Sequence, residues 1–69
     1  MKRRDVLRRV KAEAKRRGLD YREIELTNHT GIIVVGTRST LGRHAEIDDV
    51  TARKFFDQFA GEFGKGWWR

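Results

Sequence analysis

The chain contains no cysteine and no proline. Without thiols, neither disulfides nor thiolate zinc sites can hold it together, and the composition fits a reducing compartment. Apolar residues make up 38% of the sequence, yet no run approaches the ~18 consecutive apolar residues of a membrane span. The basic start is not followed by the apolar segment of a signal sequence. These absences lead to the expectation of a soluble, cytoplasmic protein. No repeat or low-complexity stretch divides the chain, so residues 1–69 are expected to form a single domain. A domain of that size buries only about 60% of its unfolded surface, which leaves a small core.

Positive charge is what the chain has in excess. Lys and Arg number 16 against 10 for Asp and Glu, a net charge of +6. Arg is the main contributor, and its planar fork suits phosphate better than the point charge of Lys. A small domain this basic points to nucleic acid, although the same charge also keeps a small protein in solution.

Lys2 to Arg17 reads as a helix, because Val6, Leu7, Val10 and Ala14 recur with helical period and Gly18 supplies a stop. The rest of its surface is dominated by Arg and Lys, either a solvated face or one that tracks phosphates or meets an acidic partner. Asp20 to Leu26 reads as a strand with Ile24 and Leu26 facing the core and Glu23 and Glu25 facing water. Ile32-Ile33-Val34-Val35 is β-branched throughout and predicts a central strand. Gly36-Thr37-Arg38 is expected to turn the chain into a short third strand, Ser39-Thr40-Leu41. Connections this short make an antiparallel meander.

A second helix follows Gly42-Arg43-His44, with Asp48 as its N-cap and Asp49 in the first turn. Ala52, Phe55, Phe56, Phe59 and Phe63 form its core stripe, and Gly61 and Gly64 weaken and then end it. Trp67 and Trp68 in the tail are expected to fold back as a lid on the core, or else to stack on bases or dock a partner. The fold class is therefore α+β in the order α-β-β-β-α, a three-stranded antiparallel sheet with two helices on one face.

Between the first two strands, Thr27-Asn28-His29-Thr30 crowds an amide, two hydroxyls and an imidazole into one turn. His29 is thus presented at the mouth of a hairpin among hydrogen-bonding neighbours, where a side chain that titrates near neutrality suits proton transfer. The alternative is a turn residue chosen for its tolerance of left-handed geometry. Two histidines separated by a hairpin, with no cysteine, have no familiar metal-ligand spacing. Glu46, Asp48 and Asp49 could bind Mg²⁺, but capping explains both aspartates more simply. Neither a metal nor a cofactor is expected.

Helix, three-stranded meander and helix is also the order of double-stranded-RNA-binding domains, which read A-form geometry. The residues carry a closer resemblance. A basic Met-Lys-Arg-Arg-Asp start, Asn28-His29-Thr30 before a β-branched strand, Arg43-His44 before a capped helix beginning Thr51-Ala52-Arg53, and a closing Gly-Lys-Gly-Trp-Trp-Arg occur together. The whole chain resembles the HicA-type mRNA interferase toxins, and most of all their short, arginine-rich branch with a Trp-Trp ending.

The resemblance implies the toxin of a type II toxin–antitoxin pair. Such a toxin is an endoribonuclease of mRNA that needs no metal and is held inactive by a HicB-like antitoxin. The family's working histidine, in a Gly-Ser-His or Gly-Asn-His triplet, falls on His29. Here the triplet is Thr27-Asn28-His29, without the leading glycine. The family's second histidine follows Pro-Arg or Pro-x, whereas Gly42-Arg43 precedes His44 here.

RNA carries its own nucleophile, the 2′-hydroxyl, so cleavage needs a base, an acid for the leaving 5′-oxygen, and stabilisation of the phosphorane. Nearby arginines favour the neutral, proton-accepting form of His29, which is the expected base. Asn28 or Thr30 is expected to fix its tautomer. His44 either protonates the leaving oxygen or simply bonds backbone ahead of the second helix. Arg38 and Arg43 are the expected stabilisers of transition-state charge, and Arg53 and Lys54 the expected holders of flanking phosphates. Two other readings remain: an RNA-binding module that performs no reaction, and an interaction domain that docks an acidic partner.

Overall fold

In the computed structural model, which describes residues 1–69, the first helix, α1, spans Arg3–Arg16. Its buried residues Val6, Val10 and Ala14 stand four apart, the spacing that stacks side chains in one row. Gly18, with φ at 68°, and a bond from the Leu19 amide to the Ala14 carbonyl (2.8 Å) close its C-terminus. Just before that end, Glu13 accepts hydrogen bonds from Arg16 and Arg17, each at 2.5 Å. Those bonds hold its carboxyl down at about 2.

Three antiparallel strands follow in the order β1-β2-β3: β1 (Tyr21–Glu25), β2 (His29–Val34) and β3 (Thr37–Gly42). On β2, Thr30, Ile32 and Val34 are buried toward the helices. Helix α2 (Asp49–Asp57) begins at the expected cap. Asp48 accepts from the Thr51 amide (3.2 Å) and the Thr51 hydroxyl (2.6 Å), which holds its carboxyl below the usual aspartate range. The apolar residues of α1 and α2 meet Ile32, Val34 and Leu41 in one cluster of 12 buried side chains. Both helices therefore cover the same face of the sheet. The element order and class are the expected ones.

Three local expectations are corrected. The first concerns β1. Tyr21 pairs with Val34, Glu23 with Ile32 and Glu25 with Thr30, so the two glutamates share the helix-covered face, while Ile24, opposite Gly31, lies on the outer one. The half-buried Tyr21 and Leu19 pack against the core and set this register. A one-residue difference in register exchanges every side chain between faces. Water still reaches Glu25, because β1 is an edge strand and Glu25 is its last residue.

The second correction is the β2–β3 turn. It falls at Val35-Gly36, and Thr37 and Arg38 already belong to β3. Val35 has φ at 57° and stands 59% exposed, so it turns the chain rather than extending the strand. The third is the last helix, which breaks before Gly61. The amides of Gln58 and Phe59 bond the carbonyls three residues back (3.2 and 3.0 Å), a tightened turn that separates α2 from α3 (Ala60–Phe63).

The tail folds back as expected. The Trp67 indole donates to the Phe56 carbonyl (2.9 Å) and meets Phe56 and Phe63 edge-on at 5.2 and 4.8 Å. Each such aromatic pair adds about 0.5–1.5 kcal/mol beyond simple burial. No helix is long and apolar enough to cross a membrane.

Candidate functional site

The site is assembled by a contact the element order does not announce. Residues at the N-terminus lie antiparallel to Ala45-Glu46-Ile47: the Arg3 amide donates to the Ala45 carbonyl (2.9 Å) and the Ile47 amide to the Met1 carbonyl (2.8 Å). This pairing brings the Lys2-Arg3-Arg4 run beside Arg43. Lys2, Arg3, Arg4, Arg43 and Ala45 line an open cleft of about 450 Å³.

No carboxylate lines that cleft, although two stand at its rim. Glu25 pairs with Arg43 at 2.7 Å and Glu46 with Lys2 at 3.9 Å, with glutamate side chains 63% and 66% exposed. Pairs this wet contribute little and exchange readily for another anion. Arg43 also donates to the Leu26 carbonyl and so spans the β1–β2 loop.

Arg3 serves a different purpose. Its guanidinium donates to the Gly42 carbonyl (3.1 Å) and to the Thr30 hydroxyl, tying α1 to the end of β2 and β3. Lys2, Arg4 and Arg43 are left as the cations able to meet a ligand.

His29 is the first residue of β2, and its φ is not positive. It is therefore a strand residue, and the left-handed turn alternative is corrected. It lies directly opposite Gly42, and since Thr30 and Leu41 point into the core, His29 points to the outer face. A Cβ built on Gly42 would stand 3.7 Å from Cδ2 of His44. Paired residues across such a ladder have Cβ atoms about 4.5–5.5 Å apart. His44 thus rests against the side-chain-free position of Gly42, which is paired across the ladder with His29 at one end of the sheet. Both histidines are exposed, and neither side chain forms a hydrogen bond within the chain.

The other expected residues divide. Arg43 lies at the site. Asn28 is exposed in the adjoining loop, and its side chain bonds nothing. The expectation that Thr30 steadies His29 is corrected: Thr30 is fully buried on the opposite face, where its hydroxyl donates to Glu25 (3.2 Å) and accepts from Arg3. His44 forms no backbone bond ahead of α2, so that role is corrected too. Arg38, opposite Ile33, is exposed on the outer face. Arg53 and Lys54 are exposed on α2, away from the histidines; Arg53 lines a separate cleft and Lys54 none.

Lys2 and Arg4, which the sequence left open between a solvated face and one that tracks phosphates, line the basic cleft. The short alternation Ala45-Glu46-Ile47 was the available signal for the strand-like pairing that recruits them. No group of three or more metal-ligating side chains converges anywhere in the chain. The chain matches no protein-family model, no curated protein and no solved structure.

Proposed function

We propose that this protein is an endoribonuclease that cuts mRNA by transesterification, the toxin of a type II toxin–antitoxin pair. The observation that carries the reading is the pair of exposed histidines at Gly42, His29 opposite it and His44 against it, at the end of the sheet where Arg43 joins the basic cleft. Neutral His29 accepts the 2′-hydroxyl proton as that oxygen attacks the adjacent phosphorus. Protonated His44 donates to the departing 5′-oxygen. The P–O5′ bond breaks as the P–O2′ bond forms, leaving a 2′,3′-cyclic phosphate and a 5′-hydroxyl. Arg43, released from Glu25 by the incoming phosphate, offsets the charge that builds on the nonbridging oxygens.

The resemblance to HicA-type toxins supports the same reading, and with it a HicB-like antitoxin as partner. An acidic surface on that partner would neutralise the cleft and cover both histidines. The test is cleavage of RNA in the presence of a chelator, with product ends identified. His29→Ala and His44→Ala should each lower the rate at least about 100-fold while remaining folded, the usual size of a lost general acid or base. Normal cleavage by either variant refutes the pair.

A further inference from the structure

We infer that a second cleft, between α1, α2 and the tail, is a subsite that stacks an unpaired nucleobase of single-stranded RNA on Trp68. The inference rests on the RNA reading above and adds the substrate class: RNA with a single-stranded flank.

The cleft holds about 260 Å³, and its walls include Arg9, Arg53, Arg69, Phe56 and Trp68, with Asp49 as the one carboxylate. Its floor is already ordered. The Trp68 indole donates to Asp57 (2.8 Å), its carbonyl accepts from Arg9 (2.5 Å), and its ring lies 30° from the plane of Phe56 at 6.2 Å. A platform fixed before the ligand arrives loses little conformational freedom on binding.

The Trp68 ring is bounded by Phe56 and by the Arg69 guanidinium. Trp68 also lines a hollow of about 350 Å³ with Lys65, Arg69 and its own hydrogen-bond partner Asp57. The Arg69 guanidinium rests 5.5 Å from the ring centre, where a base can replace it and keep the cation beside its own phosphate. Arg53 is exposed and makes no ion pair, a free charge at the mouth of the cleft.

Continuity with the first site supplies the rest of the argument. Met1 lines this cleft and Lys2 the basic one, so the same two residues form the ridge between them. The molecule measures 28 × 24 × 15 Å. A strand of about 4–16 nucleotides, the span of single-strand-binding modules, reaches from one cleft to the other. Three guanidinium groups against one carboxylate favour a polyanion with aromatic bases over an apolar peptide.

The test uses 2′-O-methyl dodecauridylate, which cannot be cut because its nucleophile is blocked, and follows tryptophan emission during titration. The expected result is saturable quenching. Trp68→Leu should weaken binding about tenfold, the value of one stacked base. Arg53→Gln, at an exposed position that cannot unfold the chain, should reduce the log–log salt slope by about 0.7. Unchanged affinity in both variants overturns the inference. Quenching by poly-glutamate but not by the oligonucleotide assigns the cleft to an acidic protein and also overturns it. The two readings fail separately. Trp68-dependent binding without cleavage of ordinary RNA sinks the nuclease alone, and cleavage indifferent to Trp68 and Arg53 sinks the subsite alone.

Discussion

Replacing Arg3 with alanine should unfasten α1 from the end of the sheet that carries both histidines. The side chain makes two charge-assisted hydrogen bonds, to the Gly42 carbonyl and to the fully buried Thr30 hydroxyl. Bonds of that kind contribute about 1.5–3 kcal/mol each. Water can reach the half-exposed Gly42 in the variant, and Thr30 can still donate to Glu25. Those two remedies bring the expected loss to about 2–3 kcal/mol. A 69-residue chain at ~0.05–0.15 kcal/mol per residue has about 3.5–10 kcal/mol in all. The loss is thus a large share, equivalent to a drop in Tm of about 10–20 °C. Urea titration followed by tryptophan emission measures it, with Arg4→Ala as the companion. Arg4 is exposed and bonds nothing, so its removal should stay within about 0.5 kcal/mol. Arg3→Lys should recover less than half, because an ammonium cannot fork between two acceptors. A loss under about 0.5 kcal/mol for Arg3→Ala, or equal losses for Arg3 and Arg4, refutes the reasoning.

Gly42→Val should leave stability nearly unchanged, since its Cβ finds ordinary contact at 3.7 Å, yet cut RNA cleavage at least tenfold by pushing the imidazoles apart; cleavage rate beside Tm reads both. Glu25→Gln frees Arg43 from its 2.7 Å partner and should steepen the salt dependence of RNA binding by about 0.7 on a log–log plot, measured by gel shift. Val35→Asn should raise stability by about 0.5–1 kcal/mol, because valine pays a steric cost at φ 57° that asparagine largely escapes; thermal melts decide it. Glu13, held at about 2 against an ordinary 4.5, contributes stability above pH 4.5 that is lost as pH falls toward 2. Its pairs are solvent-screened and contribute about 0.5–1 kcal/mol, so Glu13→Gln should melt like the parent near pH 2 and a few degrees below it at pH 7.

The elements legible in the sequence were those whose signal is local. The Val6-Val10-Ala14 row, the Asp48 cap and the phenylalanine stripe each follow from one stretch of chain, and each stands where expected. The face of β1 was not legible, because Leu19 and Tyr21 compete with Ile24 and Leu26 for the core and only pairing with β2 decides between them. The turn at Val35 was missed for a related reason. β-Branched residues argue for strand, and the meander's geometry overrode that preference at one residue. In the site, Arg43 and the two histidines could be named individually. That Gly42 stands opposite His29 and against His44, and that Thr30 faces away, depends on the register. Lys2 and Arg4 join the cleft through a pairing across most of the chain, and the three-residue alternation Ala45-Glu46-Ile47 does not name its partner.

That pairing has a kinetic consequence. The hydrogen bond between the terminal amine and the Ile47 carbonyl closes 46 residues of chain, so the basic cleft forms only after the sheet between them has closed. With few buried groups securing it, the same ribbon is the natural place for the native state to fray. Amide protons of Arg3 and Ile47 should exchange with solvent well before those of Ile32 or Val34, each opening event dismantling the cleft while the core stays intact.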